Sequence, residues 1–553
     1  MRNSLYSVTL DEALVAIGGH GRYQKHLLVV ISGIWLSQAL FMMNLPYLLS
    51  HPDADSQNSN YCETMASSDS HASNPAYEWN LVCSHKYKKT LIYLSYFFGL
   101  GIGTYLISCL ANRYGRKPIT ILGLIMTSLT QIACSASPSA EFFMAFSLIS
   151  GVFVGGTTMT SFIYIHECID GDYRNIYSGI VFSAWGLGMC LMSVINYTVT
   201  QWRVHLVIIG IANMLWVPFL LRFYESPRFL ASNQGKYSKA RYIINLIAAY
   251  NSHPPFTEML EGEKVIGYQE VNSSVHRGES NSAASKYSFV PISQGIISVT
   301  ETEFKEIKRF SLWSLLKLKS IRKTFLVMTY IWFVLSLSYY GVVFSIPHYI
   351  GNQQLNGFIM SLAETISCLV MSFLLNRIGR QMGFILNLGT AGVCCLMALA
   401  FIHSSTSSEA VGKVNKVIQI ILISVARFAI AAVRLISYIY AVECFPTSIR
   451  SLVFGVFGLV SLFGSIFTPL IIMLSSAIEI HPLFFIGLFL ITGSFFSCLL
   501  NETLGKSMED YVEEEKEEMR NPEPPSSSLE MQGNTGTTRK FQKMDEEEKG
   551  KVN

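Results

Sequence analysis

Apolar runs of about 20 residues recur along the chain and alternate with polar segments. A helix rising about 1.5 Å per residue needs this length to cross the roughly 30 Å hydrocarbon core of a bilayer. Because lipid leaves backbone groups no water to bond, the runs predict twelve transmembrane helices. The predicted spans cover 27–49, 90–111, 119–137, 141–165, 177–200 and 204–224 in the first half and 324–346, 353–375, 383–402, 416–440, 452–474 and 482–500 in the second.

Longer polar segments divide this pattern. The segment that separates the two sets of six contains two amphipathic stretches, KYSKARYIINLIAAY and FKEIKRFSLWSLLKLK, which predict helices on either side of a Ser-rich middle. The last segment mixes dense charge with Pro and Ser, which predicts disorder. The predicted organisation is a cytosolic N-terminus 1–26, a six-helix half 27–224 with an outer loop 50–89, a cytosolic linker 225–322, a second six-helix half 323–501 and a disordered cytosolic tail 502–553.

Composition agrees with a membrane protein and excludes several other classes. Half of the 553 residues are hydrophobic, only 14% are charged and the formal net charge is +3. A soluble chain of this length is usually less apolar. The basic residues are scattered, so nucleic acid is not a predicted partner. No nucleotide-binding loop, zinc-protease or nucleophile-elbow motif is present, so the sequence predicts neither an enzyme nor a cofactor.

Polar motifs after corresponding spans repeat in the two halves. The pattern N-R-x-G-R follows the second span and the eighth, and a Glu followed seven residues later by an Arg follows the fourth and the tenth. Glu225 and Glu502 come after the sixth span and the twelfth. A duplication of six spans relates two parallel halves, the arrangement of secondary transporters of the major facilitator type. The predicted fold class is therefore an all-α membrane protein of twelve helices in two six-helix halves.

These motifs fall on one side of the membrane. Their arginines lie in short loops, where positive charge predicts the cytoplasmic side. Lys86, Lys88 and Lys89 lie on the opposite side, in a longer loop in which charge counts less. Both termini are therefore predicted to be cytosolic.

A further set of motifs carries a family resemblance. In chain order the motifs are EWNLVC, NRYGRKP, QWR, LRFYESP, ESPRFLASNQGKYSKA, SIRKTFLVMTYIWFVLSLSYYG, ECFPTSIR and ETLGKSMED. From about residue 25 to 512 the chain resembles the organic cation and anion transporter family. The resemblance implies a carrier of small organic solutes that works by alternating access in the lipid bilayer, and it implies residence in the plasma membrane. A coupling ion or a counter-substrate is compatible with the same pattern.

The resemblance also implies a gate on the cytoplasmic side. In the family the acid of the first motif and the Arg of the Glu-to-Arg segment form a network that closes the inner gate, but here Asn112 and Asn376 replace that acid. The alternative is that the arginines only anchor the topology. The candidate gate residues are Asn112, Arg113, Arg116, Glu167, Arg174, Asn376, Arg377, Arg380, Glu443 and Arg450.

Charged residues inside spans are costly and therefore mark a candidate substrate site. Glu364 and Arg434 are such residues, and a salt bridge between them is as good an interpretation as substrate binding. Trp332, Tyr339 and Tyr340 offer aromatic faces for cation-π contact with an ammonium group. They equally suit packing. Thr158 completes the candidate substrate-binding set.

The sign of the substrate charge is left open by the resemblance. At the position where cation carriers have Asp and anion carriers have Arg, this chain has Leu462. Glu364 and the aromatic residues favour organic cations or zwitterions. The alternatives are an organic anion exchanger, a sugar carrier of the same fold and a transporter-shaped receptor that does not translocate.

Two of the 11 cysteines, Cys62 and Cys83, fall in the predicted outer loop and suit one disulfide in an oxidising exterior. The other nine lie in spans or near the cytosol, where packing is their simplest role. No metal-ligand spacing is present. His166, beside Glu167, is a candidate proton carrier, although a lone His near a helix end is usually only polar.

Overall fold

The computed structural model describes most of the chain. The described residues are 7–49, 75–79, 81, 86–233, 235–257, 259–260, 290–291, 296–297, 319–344, 353–403, 409–445, 447–478 and 480–504. Within them, eleven helices are long and apolar enough to cross a membrane, and Pro482–Ser497 is a shorter apolar helix at the place of the predicted twelfth span. Cys62, Cys83 and the predicted second linker helix lie outside the described residues.

The spans follow the predicted order and differ from the predicted runs by up to seven residues at their ends. In the first half they are Arg22–Leu48, Lys86–Tyr114, Arg116–Ser135, Ala140–Glu167, Arg174–Thr198 and a sixth span in two pieces, Trp202–Met214 and Val217–Leu221. In the second half they are Lys319–Phe344, Gln353–Ile378, Arg380–His403, Glu409–Cys444, Thr447–Ala477 and Pro482–Ser497. The sixth span is interrupted just before Pro218, whose missing N–H cannot continue the helical hydrogen bonds.

Shorter elements lie beside the spans. The helices are Leu10–Ala16, Pro75–Glu78 and Tyr237–Asn251, with a 3₁₀ turn at Gly171–Tyr173 and a π-helical turn at Phe229–Asn233. Tyr237–Asn251 lies where the first amphipathic linker stretch predicts a helix. Ser7–Val8 pairs in parallel with Met259–Leu260, and Val290–Pro291 pairs antiparallel with Ile296–Ile297.

Glycines let the spans of the first half approach closely. A Cβ atom on Gly103 of the second span would overlap the carbonyl oxygen of Val152 on the fourth. A Cβ atom on Gly151 of the fourth would likewise overlap the carbonyl oxygen of Tyr96 on the second. Small residues of this kind bring transmembrane backbones into direct contact.

The two halves meet along two pairs of spans. The fifth span packs on the eighth, where Gly186 faces Thr365, and the second packs on the eleventh, where Gly458 faces Thr104. A central cavity lies between the halves, which is where this architecture places its ligands.

Candidate substrate site and motif end

The cavity between the halves is lined mainly by aromatic side chains. Spans of both halves contribute to the wall. The aromatic residues of the wall are Trp35, Phe182, Trp185, Trp332, Tyr339, Tyr340 and Tyr438, and Met42, Thr158, Ser336, Arg434 and Ser461 are among the other lining residues.

A buried cluster of three charged residues stands at one wall of this cavity. Glu364 of the eighth span is completely buried and accepts hydrogen bonds from two guanidinium groups of the tenth span. Arg427 Nη2 lies 2.5 Å from Glu364 Oε2, and Arg434 Nη2 donates to Oε1. Because the two arginines are seven residues apart, helical periodicity brings both to the same face of the tenth span. We call these three residues the central triad.

Tyr339 of the seventh span holds the central triad together. Its hydroxyl donates to Glu364 at 3.3 Å, and its backbone carbonyl accepts from Arg427 Nη1 at 3.0 Å. Its ring lies under both guanidinium groups, with the centroid 3.7 Å from Arg427 Cζ and 4.9 Å from Arg434 Cζ. Cation-π contact of this kind helps to offset the cost of burying a cation. Trp185 Nε1 in turn donates to the Tyr339 hydroxyl at 3.3 Å.

Two donors at the cavity have no hydrogen-bond partner among the described residues. They are the buried Nε of Arg434 and the buried Nε1 of Trp332, and both side chains line the cavity. A buried donor without an acceptor is costly. The central triad carries two positive charges and one negative charge, so it leaves the cavity wall with one net positive charge.

At the end of the bundle that carries the repeated motifs, which we call the motif end, the two halves build the same ion pair. Arg116 Nη2 lies 3.1 Å from Glu167 Oε1, and Arg380 Nη2 lies 2.7 Å from Glu443 Oε1. Each pair joins the start of one span to the end of the next within its own half. Arg116 and Glu167 are both buried, whereas Glu443 is partly exposed.

A carboxylate also caps the third and ninth spans. Glu225 Oε1 accepts from the backbone N–H of Arg116 at 3.0 Å, and Glu502 Oε1 accepts from the N–H of Arg380 at 2.9 Å. These are helix N-terminal donors that the helix itself cannot satisfy. The preceding glycines have φ of +114° at Gly115 and +84° at Gly379.

The pKa values of the two capping carboxyl groups shift in opposite directions. Burial raises the pKa of Glu225 above its ordinary value, although the backbone N–H donors act in the opposite direction. Burial also acts to raise the pKa of the more exposed Glu502, but its backbone donors together outweigh burial and lower that pKa. The cap of the ninth span is therefore the more firmly ionised of the two.

Comparisons with known proteins agree with this geometry. The family model described as Major Facilitator Superfamily matches residues 27–469. The chain belongs to this superfamily. Within the superfamily the predicted resemblance to organic ion transporters is confirmed, since the chain is similar to members of solute carrier family 22. It is 25% identical to solute carrier family 22 member 6 from Rattus norvegicus over 80% of this chain and 73% of that protein. It is 24% identical to solute carrier family 22 member 15-like from Xenopus tropicalis over 91% of this chain and 96% of that protein.

A solved structure agrees with the fold. The proton:xylose symporter XylE, bound to 6-bromo-6-deoxy-D-glucose, matches over 88% of this chain and 98% of its own, with a TM-score of 0.59 and 16% identity. At this identity the likeness shows the fold alone. The chain is a multi-pass integral membrane protein and a transporter of small organic ions, and alternating access is the mechanism typical of its fold. The absence of an enzymatic function follows from the same comparisons.

The structure of this superfamily member brings most of the predicted substrate residues together. Trp332, Tyr339, Tyr340 and Arg434 line the cavity with Thr158. The hydroxyl of Thr158 donates to the carbonyl oxygen of Val154 at 2.9 Å, which leaves its lone pairs for a ligand. Glu364 stands behind this wall. It is bonded to the arginines and to Tyr339, so its carboxylate is not open to a substrate ammonium group.

Arg427 is the one member of the central triad that was not predicted as a site residue from the sequence. It is nevertheless a charged residue inside the predicted span 416–440, and that signal identified Arg434 as well. Leu462, at the expected charge-discriminating position, packs against Gly101 of the second span instead of lining the cavity wall. The sign of the charge at this transporter's cavity therefore comes from the tenth span.

The arginines of the Glu-to-Arg segments do not bind the acids of those segments. Arg174 Nη2 lies 2.9 Å from Asp11 Oδ1, and Arg228, after the sixth span, donates to the same oxygen. Arg450 Nε donates to the backbone carbonyl of Phe445 at 3.2 Å. Asp11 lies in the helix before the first span and was not predicted to belong to this site. Burial acts to raise its pKa, but Arg228 and Arg174 together lower it below the ordinary value.

The remaining motif residues have more modest contacts. Asn112 accepts a hydrogen bond from Arg116, so it replaces a motif acid with a neutral acceptor. Arg113 lies over the ring of Tyr114 at 5.5 Å, and Arg377 is exposed. The side chain of Asn376 lies outside the described residues. The buried ring of His166 bonds the Phe162 carbonyl and the Ser178 hydroxyl, which occupies both nitrogens.

A hydrogen bond at the motif end links the two halves. Arg380 Nη2 of the ninth span lies 3.5 Å from Asn175 Oδ1 at the start of the fifth. The Arg380–Glu443 pair therefore touches the first half of the transporter, whereas the contacts of Arg116 with Glu167 and Asn112 stay within that half.

Proposed function

We propose that this transporter carries small organic anions. The observation that supports the proposal is the net positive charge of the central triad, where Arg427 and Arg434 face the single carboxylate of Glu364. A charge inside the membrane is tolerated when a partner compensates it. An anion in the cavity would supply that compensation, and an organic cation would add to the imbalance.

The same geometry removes the basis for the cation preference predicted from the sequence. That preference depended on a Glu364 carboxylate available to an ammonium group. Both of its oxygens accept from guanidinium groups, and the aromatic ring of Tyr339 already contacts Arg427 and Arg434. Displacing these partners would leave two buried cations unpaired, at a cost of about 3–5 kcal/mol. The anion alternative requires no such displacement.

The donors at the wall suggest how an anion binds. A carboxylate or a similar oxyanion would accept from Arg434 Nε and Trp332 Nε1, which lack partners among the described residues. Hydrogen bonds that involve an ionised group are about twice as strong as neutral ones. The ring faces of Phe182, Trp185 and Tyr438 would pack against the organic part of the substrate.

For the motif end we propose a gate. The Arg116–Glu167 and Arg380–Glu443 pairs hold the ends of spans in each half, and the contact between Arg380 and Asn175 is one that must break when the halves separate there. The arginines of short loops support a cytosolic position for this end and for both termini. We further propose residence in the plasma membrane.

The charge of the empty site supports exchange as the mode of coupling. Without a substrate the cavity wall retains one uncompensated positive charge, which makes reorientation of the empty transporter costly. Reorientation with a second anion bound avoids that cost. We therefore propose a counter-anion as the coupling partner.

The proposal is tested by uptake into voltage-clamped cells or proteoliposomes. The panel contains labelled organic anions, cations, zwitterions and hexoses. Saturable uptake of anions is expected, faster when the vesicles are preloaded with unlabelled anion. Arg434→Gln is expected to reduce this uptake at least about tenfold, since it removes a charged donor.

Arg22→Gln is the matched control, because it is the same substitution at an exposed arginine at the start of the first span, outside the cavity and the candidate gate residues. Its uptake is expected to stay close to that of the unmodified protein. Saturable uptake of cations or hexoses without anion uptake would overturn the proposal. Anion binding without flux in any direction would favour the receptor alternative.

A further inference from the structure

We infer that Glu364 sets the number of charges on the substrate, so that the transporter selects monoanions over dianions. The inference rests on the proposed function, because it concerns which anions the same cavity accepts. It follows from the arrangement of the central triad and from the chemistry of the rest of the cavity wall.

Only one of the two arginines of the central triad reaches the cavity. Arg427 is almost completely buried behind the wall, with its two terminal nitrogens bonded to the Tyr339 carbonyl and to Glu364. It does not line the cavity. Arg434 is 12% exposed and does line it. Glu364 bonds both guanidinium groups and compensates one of their two charges, and the net positive charge that remains reaches the cavity only at Arg434.

The rest of the described wall is neutral. Apart from Arg434, the ionisable residues that line the cavity are the tyrosines at 339, 340 and 438, which are uncharged at neutral pH. The other wall residues are apolar or carry a hydroxyl, a thioether or an indole. No second fixed cation lies at the described wall to receive a second carboxylate.

A monoanion and a dianion therefore differ in how well they balance the wall. One negative charge compensates the net positive charge of the triad, and the loaded site becomes neutral. A second negative charge would stay uncompensated between the membrane spans, where an unpaired charge is costly. The same argument makes Glu364 a specificity residue that does not need to touch the substrate.

Removing Glu364 should change the preference in a predictable direction. Glu364→Gln leaves two uncompensated cations, Arg434 at the cavity wall and Arg427 directly behind it, and this net charge of two suits a dianion. Arg427→Gln leaves the triad neutral, which weakens the binding of any anion. The double variant, which carries both Glu364→Gln and Arg427→Gln, has one net positive charge at the triad, as the unmodified protein has. This double variant is the matched control, because it changes the geometry at both positions and keeps the charge.

Equilibrium binding to purified protein is the measurement, since it does not require the variants to transport. Benzoate and terephthalate form one probe pair that shares a ring, and hexanoate and adipate form a second pair that shares a six-carbon chain. We expect the unmodified protein and the double variant to bind the monoanion more tightly. In Glu364→Gln the ratio of monoanion to dianion affinity should fall by about tenfold or more, because the charge of Arg427 behind the wall is no longer compensated by Glu364 and offsets the second negative charge.

The outcomes separate this inference from the proposed function. If the unmodified protein binds none of the four probes or prefers an organic cation, the proposed function fails. If it binds anions but shows no preference for the monoanion, the inference alone is overturned. If the double variant behaves like Glu364→Gln, then geometry and not charge sets the preference, which also overturns it. Should Glu364→Gln fail to fold, the double variant and Arg427→Gln still test the charge count.

Discussion

Gly115 and Gly379 occupy equivalent places in the two halves, and each has a positive φ that other residues rarely adopt. A Cβ atom would also overlap Glu225 Oε2 at Gly115 and would lie 2.5 Å from Glu502 Oε2 at Gly379. The glycine thus serves two purposes. It turns the chain between spans, and it makes room for the carboxylate that caps the next helix. The positive φ and the nearby carboxylate explain why the N-R-x-G-R motif contains a glycine in both halves, and neither feature can be predicted from the motif alone.

Replacement of this glycine should cost more than backbone strain alone. Gly115→Ala is expected to destabilise the protein by about 1–3 kcal/mol for the strained backbone, with an added cost from the contact with Glu225. Gly235→Ala is the control, because Gly235 has φ of +62° but a Cβ atom there would meet no heavy atom within 4 Å. Thermal unfolding in detergent compares the two. An equal decrease of Tm in both variants would mean that the Glu225 carboxylate moves aside without cost, and the predicted additional destabilisation at Gly115 would be wrong.

Also at the scale of residues, the sequence predicts the buried charges of the central triad but not the contacts between them. Charge inside an apolar run identified Glu364 and Arg434, because burial of charge is rare enough to be informative. Which atoms they bind depends on the rotation of the eighth and tenth spans about their own axes. That rotation is fixed by packing against other spans, so the bond between Arg427 and Glu364 could not be predicted from spacing alone.

The helices themselves follow closely from the sequence, because length and hydropathy are strong signals in a bilayer. The short helix Leu10–Ala16 is different. It precedes the first span, and its role depends on distant residues, since Asp11 joins Arg174 of the fifth span to Arg228 after the sixth. Ser7–Val8 extends the contact by pairing with Met259–Leu260 of the linker. Contacts between segments so far apart in the sequence cannot be predicted from local sequence patterns.

Acid should release this helix from the motif end. Burial acts to raise the pKa of Asp11, but Arg228 and Arg174 lower it further than burial raises it, so the charged form is favoured in the docked state. Its contribution to docking is therefore complete above the unfolded pKa of about 4 and is lost as the pH falls through the lower pKa of the docked state. A spin label at Val15→Cys, an exposed position, should become mobile as the pH falls below about 4.

Two controls isolate Asp11 in this experiment. Glu12→Gln keeps the capping pattern with Thr9 and removes the other acid of the helix, so the pH dependence should persist. His20→Gln removes the nearby ring that stacks on Tyr173, and the pH dependence should persist in this variant too. Asp11→Asn should leave the label mobile already at neutral pH. An immobile label in Asp11→Asn under that condition would show that the ion pairs do not hold the helix.

At the scale of the whole molecule, the repeat predicted two parallel six-helix halves, and the comparisons confirm the fold. The motifs indicated which ends of the spans lie together, since equivalent residues of a duplication occupy equivalent places. They could not indicate how the halves face each other. Residues that meet at that interface, such as Gly186 and Thr365, lie on helices that are far apart along the chain. No local sequence pattern therefore predicts which of them are in contact.

The interface suggests a pair of substitutions with opposite effects on alternating access. Gly179 lies near the motif end of the fifth span, and a Cβ atom there would overlap Ser372 Cβ of the eighth. Gly357 lies near the other end of the eighth span, and a Cβ atom there would overlap the Tyr47 hydroxyl. Gly179→Leu should therefore disfavour closure at the motif end, and Gly357→Leu should disfavour closure at the opposite end. Overpacking that costs about 1–3 kcal/mol would shift the population about 5- to 150-fold.

A cysteine at the cavity reports this shift. In a cysteine-free background, Thr158→Cys is labelled with a membrane-impermeant thiol reagent added to one side at a time. Gly179→Leu should speed labelling from the motif side and slow it from the other, and Gly357→Leu should do the reverse. The opposite signs matter, because a general loosening of the bundle would speed labelling from both sides in both variants. That result would mean that the contacts at the two ends do not alternate, and the rocking of one half against the other would need a different interface.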